Sequence, residues 1–475
     1  MLTAGPGPDL SADLKYLLEK EESTGTIEDT FPLLLLSTQS VDINLGNIHP
    51  TRLQVHLLCN IHFRNVDPFI KLVHKTQFSF DSEQFWQGVL DHSARFQKAT
   101  ELALMGPNFL RSHSLVTLEA FLLYLAFLFE YRRSIQASAL IGLAASIARR
   151  LGLHQEEHCS DLSTWQVEMR RRAWHYLRIL GTKALESIGT ESETFKPAHN
   201  TALLKNLPDS AWELYQTEQK AVLPEHGFTE SKYSIVQSEL ASILQSLLDP
   251  QHPLLMDVTS YVDFHESRIH ESRTQQEKAR ITQTYLRDLD VTDPIQSIVL
   301  MTTELFFSKT FLVVHQALLR LPTDTAQTSQ DSRDKLFMTA IALCEISHNL
   351  EFGYLDFQWL FRNYTQWLAI AVTLTNLLHR SNDPNIPRAW RRIDIIFEKH
   401  SQDGMNSGDA ILWRPLVKLW SDAMLRRKTQ ETFKAVDAEA TPIVPVDDLG
   451  QIQEAVSKNW WDPLLFNATP SPFPT

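Results

Sequence analysis

From Asn108 to Lys196 the chain has no proline, and from Gln327 to Asp383 it has none again and only one glycine, Gly353. Proline removes a backbone donor and glycine loosens the chain, so their scarcity leaves long helices free to run. The chain holds 15 glycines in 475 residues, under half the usual share of about 7 %. Neither stretch sustains the apolar–polar alternation of a half-buried strand. Apolar residues recur instead at steps of three and four: Ala137, Leu140, Ile141, Ala144, Ala148 and Leu151. That spacing draws a narrow stripe along one helix face. Half of the stripe is alanine, with Ser138 and Gly142 beside it, so a neighbouring helix is expected to approach closely there. Gly152 follows, where a left-handed residue commonly stops a helix. On the next helix Trp174, Leu177, Leu180, Gly181 and Ala184 share the expected buried face, and Arg170, Arg171 and Arg172 crowd one turn. Glu168 lies four residues before Arg172, a spacing that pairs the two along a helix surface. The fold class is all-α, a bundle or array of many helices.

The same reading divides the chain. Residues 1–30 are read as a loose leader, residues 31–435 as an all-α domain, and residues 436–475 as a proline-punctuated acidic and aromatic tail. Helices are expected over Pro50–Asn65, Asp67–Lys75, Ser82–Met105 and from Ser112 or Ser114 through Phe129. Others are expected over Ser231–Leu248, Asp257–Leu289, about 25 residues from Pro294, Ser332–Asn349, Tyr354–His379, Pro387–His400 and Pro415–Glu431. Asp293 is placed to cap the helix that Pro294 begins.

Composition narrows the function classes. With 44 Lys and Arg against 57 Asp and Glu, the net charge is −13. An acidic whole repels a nucleic-acid duplex at long range. The basic groups at Arg391-Arg392 and Arg426-Arg427-Lys428 are short; surface pairing explains them, with nuclear import a second reading for the latter. The longest apolar run, Leu115–Phe129, contains Glu119 and is too short to span a bilayer, so it is read as a buried helix and no membrane partner is expected. No secretory start is evident, and three scattered cysteines fit a reducing compartment.

One order of motifs carries a resemblance. GLAASIARRLGLHQE, containing Gly152 and His154, is followed by Glu168, Arg170, Arg171, Arg172 and Trp174. Upstream stand His49-Pro50, Leu58, Asn65-Val66-Asp67-Pro68 and Leu72-Val73-His74; downstream stands Leu204-Lys205-Asn206-Leu207-Pro208-Asp209. Together these resemble the middle homology region of fungal zinc-cluster transcription regulators, most clearly over residues 45–210. The resemblance implies an all-α regulatory domain, a nuclear location, and a structural brace made by Gly152, His154, Glu168, Arg170, Arg171, Arg172 and Trp174. The chain departs from the family at Gly181, where an acidic residue is usual, and at Gly189-Thr190-Glu191, where a Gly-Arg-Pro-like loop is usual. The family's DNA reader holds two zinc ions with six closely spaced cysteines. Cys59, Cys159 and Cys344 make no such module, so either a zinc-cluster segment is encoded upstream of these residues or DNA is expected to be reached only indirectly, through a protein partner.

Enzyme motifs are weak here. His154-Gln155-Glu156-Glu157-His158 fits the H-x-x-E-H pattern, but Gly152 places it at a helix end. Asp288, Asp290 and Asp293 lack the spacing of a magnesium-binding helix turn. His315 and His348 lie among apolar neighbours, where a hydrogen-bonded core histidine is expected. The aromatic run Phe357, Trp359, Leu360, Phe361, Tyr364, Trp367 and Leu368 reads as core, with a small-molecule pocket between helices as its other reading. No catalytic, metal or cofactor residue is assigned. In the tail, Trp460, Trp461, Leu464 and Phe466 mix with acidic residues, as in segments that dock on a coactivator. The expected function is a transcriptional regulator or co-regulator of a metabolic or secondary-metabolite pathway. Its expected partners are a DNA-binding regulator or coactivator, a second copy, and a small-molecule effector. The other readings are an all-α enzyme or binding module on the same scaffold, and an inhibitor that dimerises with a full-length regulator.

Overall fold

The computed structural model describes residues 52–78, 114–130, 134–159, 161–188, 199–212, 227–247, 261–315, 330–361, 366–402 and 410–437. Of these, 81 % are helical and none is a strand, which makes the fold all-α. The main helices are α1 (Arg52–Ile61), α2 (Leu115–Glu130), α3 (Ser134–Arg150), α4 (Thr164–Ile188), α5 (Lys232–Leu247) and α6 (Tyr261–Ile281). They continue as α7 (Pro294–His315), α8 (Gln330–Phe352), α9 (Trp367–His379), α10 (Ile386–Gln402) and α11 (Ala410–Asp437).

The helices pack as a winding array. α2, α3 and α4 pack mutually, α4 leans on α5, and α5 meets α7. α7 lies between α6 and α8; α8 packs on α9, α9 on α11, and α10 rests against both α8 and α9. One continuous apolar cluster runs through this array, from Phe69 to Ala423. α7 is long and apolar enough by composition to cross a membrane, and half of that apolar stretch is buried. Its buried residues meet α5, α6, α8 and α9, as a core helix does.

Local signals act where expected. Gly152 has φ 72°, and the α3 end is closed by Gly152 N–H on Arg149 O (2.8 Å) and Leu153 N–H on Ala148 O (3.0 Å). That pair of bonds is the double cap a left-handed glycine permits. Asp293 Oδ1 accepts the Gln296 N–H at 2.8 Å and caps α7. The apolar helix α2 is buried along most of its length, Glu119 included.

Other expectations give way to packing. No helix forms over Asp67–Lys75: α1 ends in a π turn at His62–Val66, followed by irregular turns. Pro68 has no N–H to continue a helix, and Lys71 and His74 turn inward to polar partners. Tyr354–His379 is not one helix but a 3-10 turn, a single α turn at Gln358–Phe361, and α9. Phe357 packs edge-on against Phe69 (4.9 Å) and Trp367 against Trp413 (5.9 Å). The break between the two lets those rings serve different neighbours. α11 starts earlier than Pro415, which lies inside it. α6 stops at Ile281 and passes into a π turn, short of Leu289. α4 is buried on nearly all sides from Arg172 to Arg178, not on one face. The helix expected at Ser82–Met105 and the tail residues Trp460, Trp461, Leu464 and Phe466 lie outside the described residues.

Gly142 does not mark a close helix approach, because a Cβ built there meets nothing within 4 Å. With space available in mid-helix, Gly142→Ala is expected to stabilise the protein by about 0.5–1 kcal/mol. A thermal melt checks this; a lowered midpoint would show that a neighbour does occupy the space.

Candidate functional site

The motif segments converge on one buried cage of charges. Lys71 lies in an irregular stretch after Pro68, and its ammonium is fully buried. It donates to Asp67 at 2.5 Å, Asp209 at 2.9 Å and Glu230 at 3.0 Å. An ammonium has three donors, and here each finds a carboxylate. Oxygens of Asp67, Asp209 and Glu230 lie within 4.8 Å of one another, a spacing compatible with a metal ion. The lysine nitrogen stands among them, so the protein supplies its own cation. Burial by itself would weaken that charge, but Asp67 and Asp209 outweigh it and hold Lys71 above its ordinary pKa.

The two buried aspartates respond differently. Burial pushes Asp67 up to about 6 despite Lys71. Its Oδ1 is buried and meets no donor among the described residues. Asp209 is also desolvated, yet Arg172 and then Lys71 hold it below the usual range. It accepts from Lys71, from Arg172 (3.2 Å) and from the Lys75 N–H (3.2 Å).

Successive helical residues point about 100° apart, so the arginines of α4 take separate tasks. Arg170 donates to Leu151 O at 2.5 Å, at the α3 end. Arg171 binds Glu156 in the turn beyond that end. Arg172 reaches Asp209 and lies 3.8 Å from Glu168. Glu168 and Arg172 were expected to pair on the surface, but both side chains are fully buried. Glu168 also accepts the Lys205 N–H at 3.2 Å. The helix surface that should have met water is covered by residues 199–209.

Those residues form an extended strap rather than a helix. Thr201 donates to Leu153 O (2.7 Å), Ala202 N–H to Glu156 (3.1 Å), and His175 Nε2 to Ala202 O (2.9 Å). Trp174 is buried and sits 6.1 Å from His154 and 5.7 Å from His199, centroid to centroid. Burial drives His175 down to about 3 and His199 down to about 4, so both are neutral near pH 7. Gly152, His154, Glu168, the three arginines and Trp174 thus gather at one junction of α3, α4 and the strap. Lys71 and His175 also belong to it and were not named from the sequence; Glu119 was noted only as a charge in an apolar run, and Asp209 only as the end of a motif loop. The available signal for Lys71 was a lone charge inside FIKLVH, four residues after Asp67.

The weaker motifs find structural roles. His154–His158 is a turn running into a 3-10 turn, so it offers no helical face for two histidine ligands. Asn200 joins Glu157 to the strap. Asp290 accepts from Thr292, and Asp293 is the α7 cap. His315 meets Phe311 O at 3.0 Å and Glu271 at 3.3 Å, as a core histidine does. Phe357, Leu360 and Phe361 are core residues. Arg426 binds Leu378 O, and Arg427 pairs with Asp394 (3.2 Å) over Trp390.

Glu119 on α2 faces the cage. Burial lifts its carboxyl to about 8, with Arg172 opposing. A carboxyl raised from 4.5 binds its proton more tightly when folded, so its contribution to stability falls as pH climbs from about 4.5 to 8. Glu119→Gln removes that loss. Its stability relative to wild type is expected to improve by about 1.5 kcal/mol between pH 6.5 and 8. Paired denaturant melts test this; a pH-independent difference would contradict the raised carboxyl.

Curated proteins similar to the chain share one description. Transcriptional regulator nsrM of Aspergillus novofumigatus is 21 % identical over 88 % of this chain and 62 % of its own length. Aurofusarin cluster transcription factor aurR2 of Gibberella zeae is 23 % identical over 72 % of this chain and 50 % of its own. C6 finger domain transcription factor nscR of Aspergillus fumigatus is 23 % identical over 76 % and 51 %. The chain therefore spans about half to three-fifths of the length of these relatives. No family model matches the chain, and no solved structure matches it significantly. Over most of its residues the chain is thus similar to several proteins named as fungal transcription regulators, a C6 finger factor among them.

Proposed function

We propose that the chain is the helical regulatory body of a fungal transcription regulator, working in the nucleus on a metabolic or secondary-metabolite pathway. The supporting observation is similarity spread over 72–88 % of the chain to proteins named transcription regulators, one of them an aurofusarin cluster factor. In this reading residues 31–435 act as one non-catalytic unit. The buried cage keeps α4, α5, the strap and the N-terminal turns in one register. Residues 436–475 offer Trp460, Trp461, Leu464 and Phe466 to a coactivator. Cys59, Cys159 and Cys344 do not form a zinc cluster, so in this reading residues 1–475 are not assigned the DNA contact itself.

The test is a fusion of the whole chain to an unrelated DNA-binding domain in a fungal reporter strain, with a fluorescent tag for location. Nuclear accumulation and a several-fold change in reporter output are expected, with loss of activation when residues 436–475 are removed. A fusion that accumulates in the nucleus and leaves the reporter unmoved would refute the reading.

A further inference from the structure

One stripe of α8 is left partly uncovered towards its C-terminal end. Ser347, His348, Glu351 and Phe352 recur at steps of one and three, so they share a face of the helix. That face lines a cleft between α8, α9 and α10, of about 450 Å³ counted out to the surrounding solvent. Ile370 of α9 and Ile395 and Ile396 of α10 supply its apolar wall. Phe352 and Ile395 are large apolar side chains, yet they remain 42 % and 40 % exposed. Apolar surface left in water is unfavourable, so a molecule that covers these two gains by doing so.

The polar residues of the cleft define what it can take. Lys399 and Glu351 both line it, and they pair with each other. Lys399 also lies over the Phe352 ring, 5.6 Å from its centre. The two charges cancel, so a charged ligand would lose water here without gaining a partner. His348 lines the same cleft and is free of such a bond. Its ring tilts against Phe352 at 4.7 Å and makes no hydrogen bond among the described residues. Burial, with Arg392 and Lys399, holds it below its ordinary pKa, so it is neutral at pH 7. A neutral imidazole offers one donor and one acceptor, and a hydroxyl complements either. A concave apolar surface with a few polar groups is the usual form of a small-molecule site, and an aromatic ring packs well beside Phe352.

We propose that this cleft binds an uncharged single-ring phenol, with its hydroxyl on the His348 imidazole and its ring between Phe352 and the isoleucine wall. Lys399 and Glu351 stay paired and border the ring. The proposal rests on the residues that line the cleft and not on the transcriptional reading. Binding to the purified chain and reporter output can therefore succeed or fail separately.

Phenol itself is the probe, for calorimetry and for NMR of the His348 imidazole in the full chain. It is expected to bind saturably and to move the His348 resonances. Benzoate and benzylammonium, which carry a charge on the same ring, should bind about 10-fold more weakly or not at all. His348→Phe should weaken phenol about 3- to 10-fold, the worth of one neutral hydrogen bond, and leave toluene unchanged. His348→Gln should restore part of the phenol affinity. Ile395→Ser strips the apolar wall and should weaken phenol and toluene alike. Leu425→Ser on α11, at a residue 69 % exposed and outside the cleft, should change nothing. Each variant's own melting midpoint shows that it is folded. Benzoate or benzylammonium binding as tightly as phenol, phenol binding indifferent to His348→Phe or to Ile395→Ser, or no saturable response by about 10 mM would each overturn the proposal.

Discussion

Lys71→Met is expected to destabilise the protein by about 3–5 kcal/mol, the usual cost of removing one partner from a buried ion cluster. The methionine fills much the same volume, so the loss comes from charge and not from a cavity. Asp67 and Asp209 would be left facing Glu230 with no ammonium among them. Arg172 would still bind Asp209, at 3.2 Å, and would limit the damage on that side. The sign of the pH dependence follows. Carboxylates that lose their cation have raised pKa values, so the variant should regain stability relative to wild type as pH falls below about 6. Adding Asp67→Asn should recover part of the loss, since one of the unpaired charges goes. Denaturant melts at two pH values test both statements. A variant within 1 kcal/mol of wild type at pH 7 would mean that the cage contributes little to holding its segments together.

Trp174→Ala is expected to cost about 3–5 kcal/mol. The indole is 3 % exposed and stands between the rings of His154 and His199. Its removal would leave a void where the α3 end and the strap meet α4. Trp174→Phe should cost much less, because the Nε1 donor of Trp174 has no acceptor among the described residues. The phenyl ring keeps most of the apolar contact and buries no unmet N–H. Equal losses for the two variants would mean that the indole makes a hydrogen bond essential to this junction. No loss for alanine would remove Trp174 from the core.

The helical class was legible because it is a local property. Long spans without proline, steps of three and four, Gly152 after an alanine stripe and Asp293 before Pro294 each act within a few residues. The structure follows those signals closely at α2, α3 and the start of α7. The motif residues from Gly152 to Trp174 were also visible, as an ordered pattern. What they do was not. Glu168 and Arg172 have the spacing of a surface pair, and nothing near them in sequence announces that residues 199–209 will cover them. Lys71, 138 residues away from Asp209, has no local mark beyond an isolated charge among apolar neighbours.

By itself the order of residues decided which spans coil, where α3 stops and which side chains share a helical stripe. These depend on backbone freedom and on a fixed rotation per residue. Only the assembled molecule decided which charges lose their water and that a lysine stands where three acids meet. Those outcomes depend on desolvation and on contacts between distant segments. Neither is set until the helices have packed.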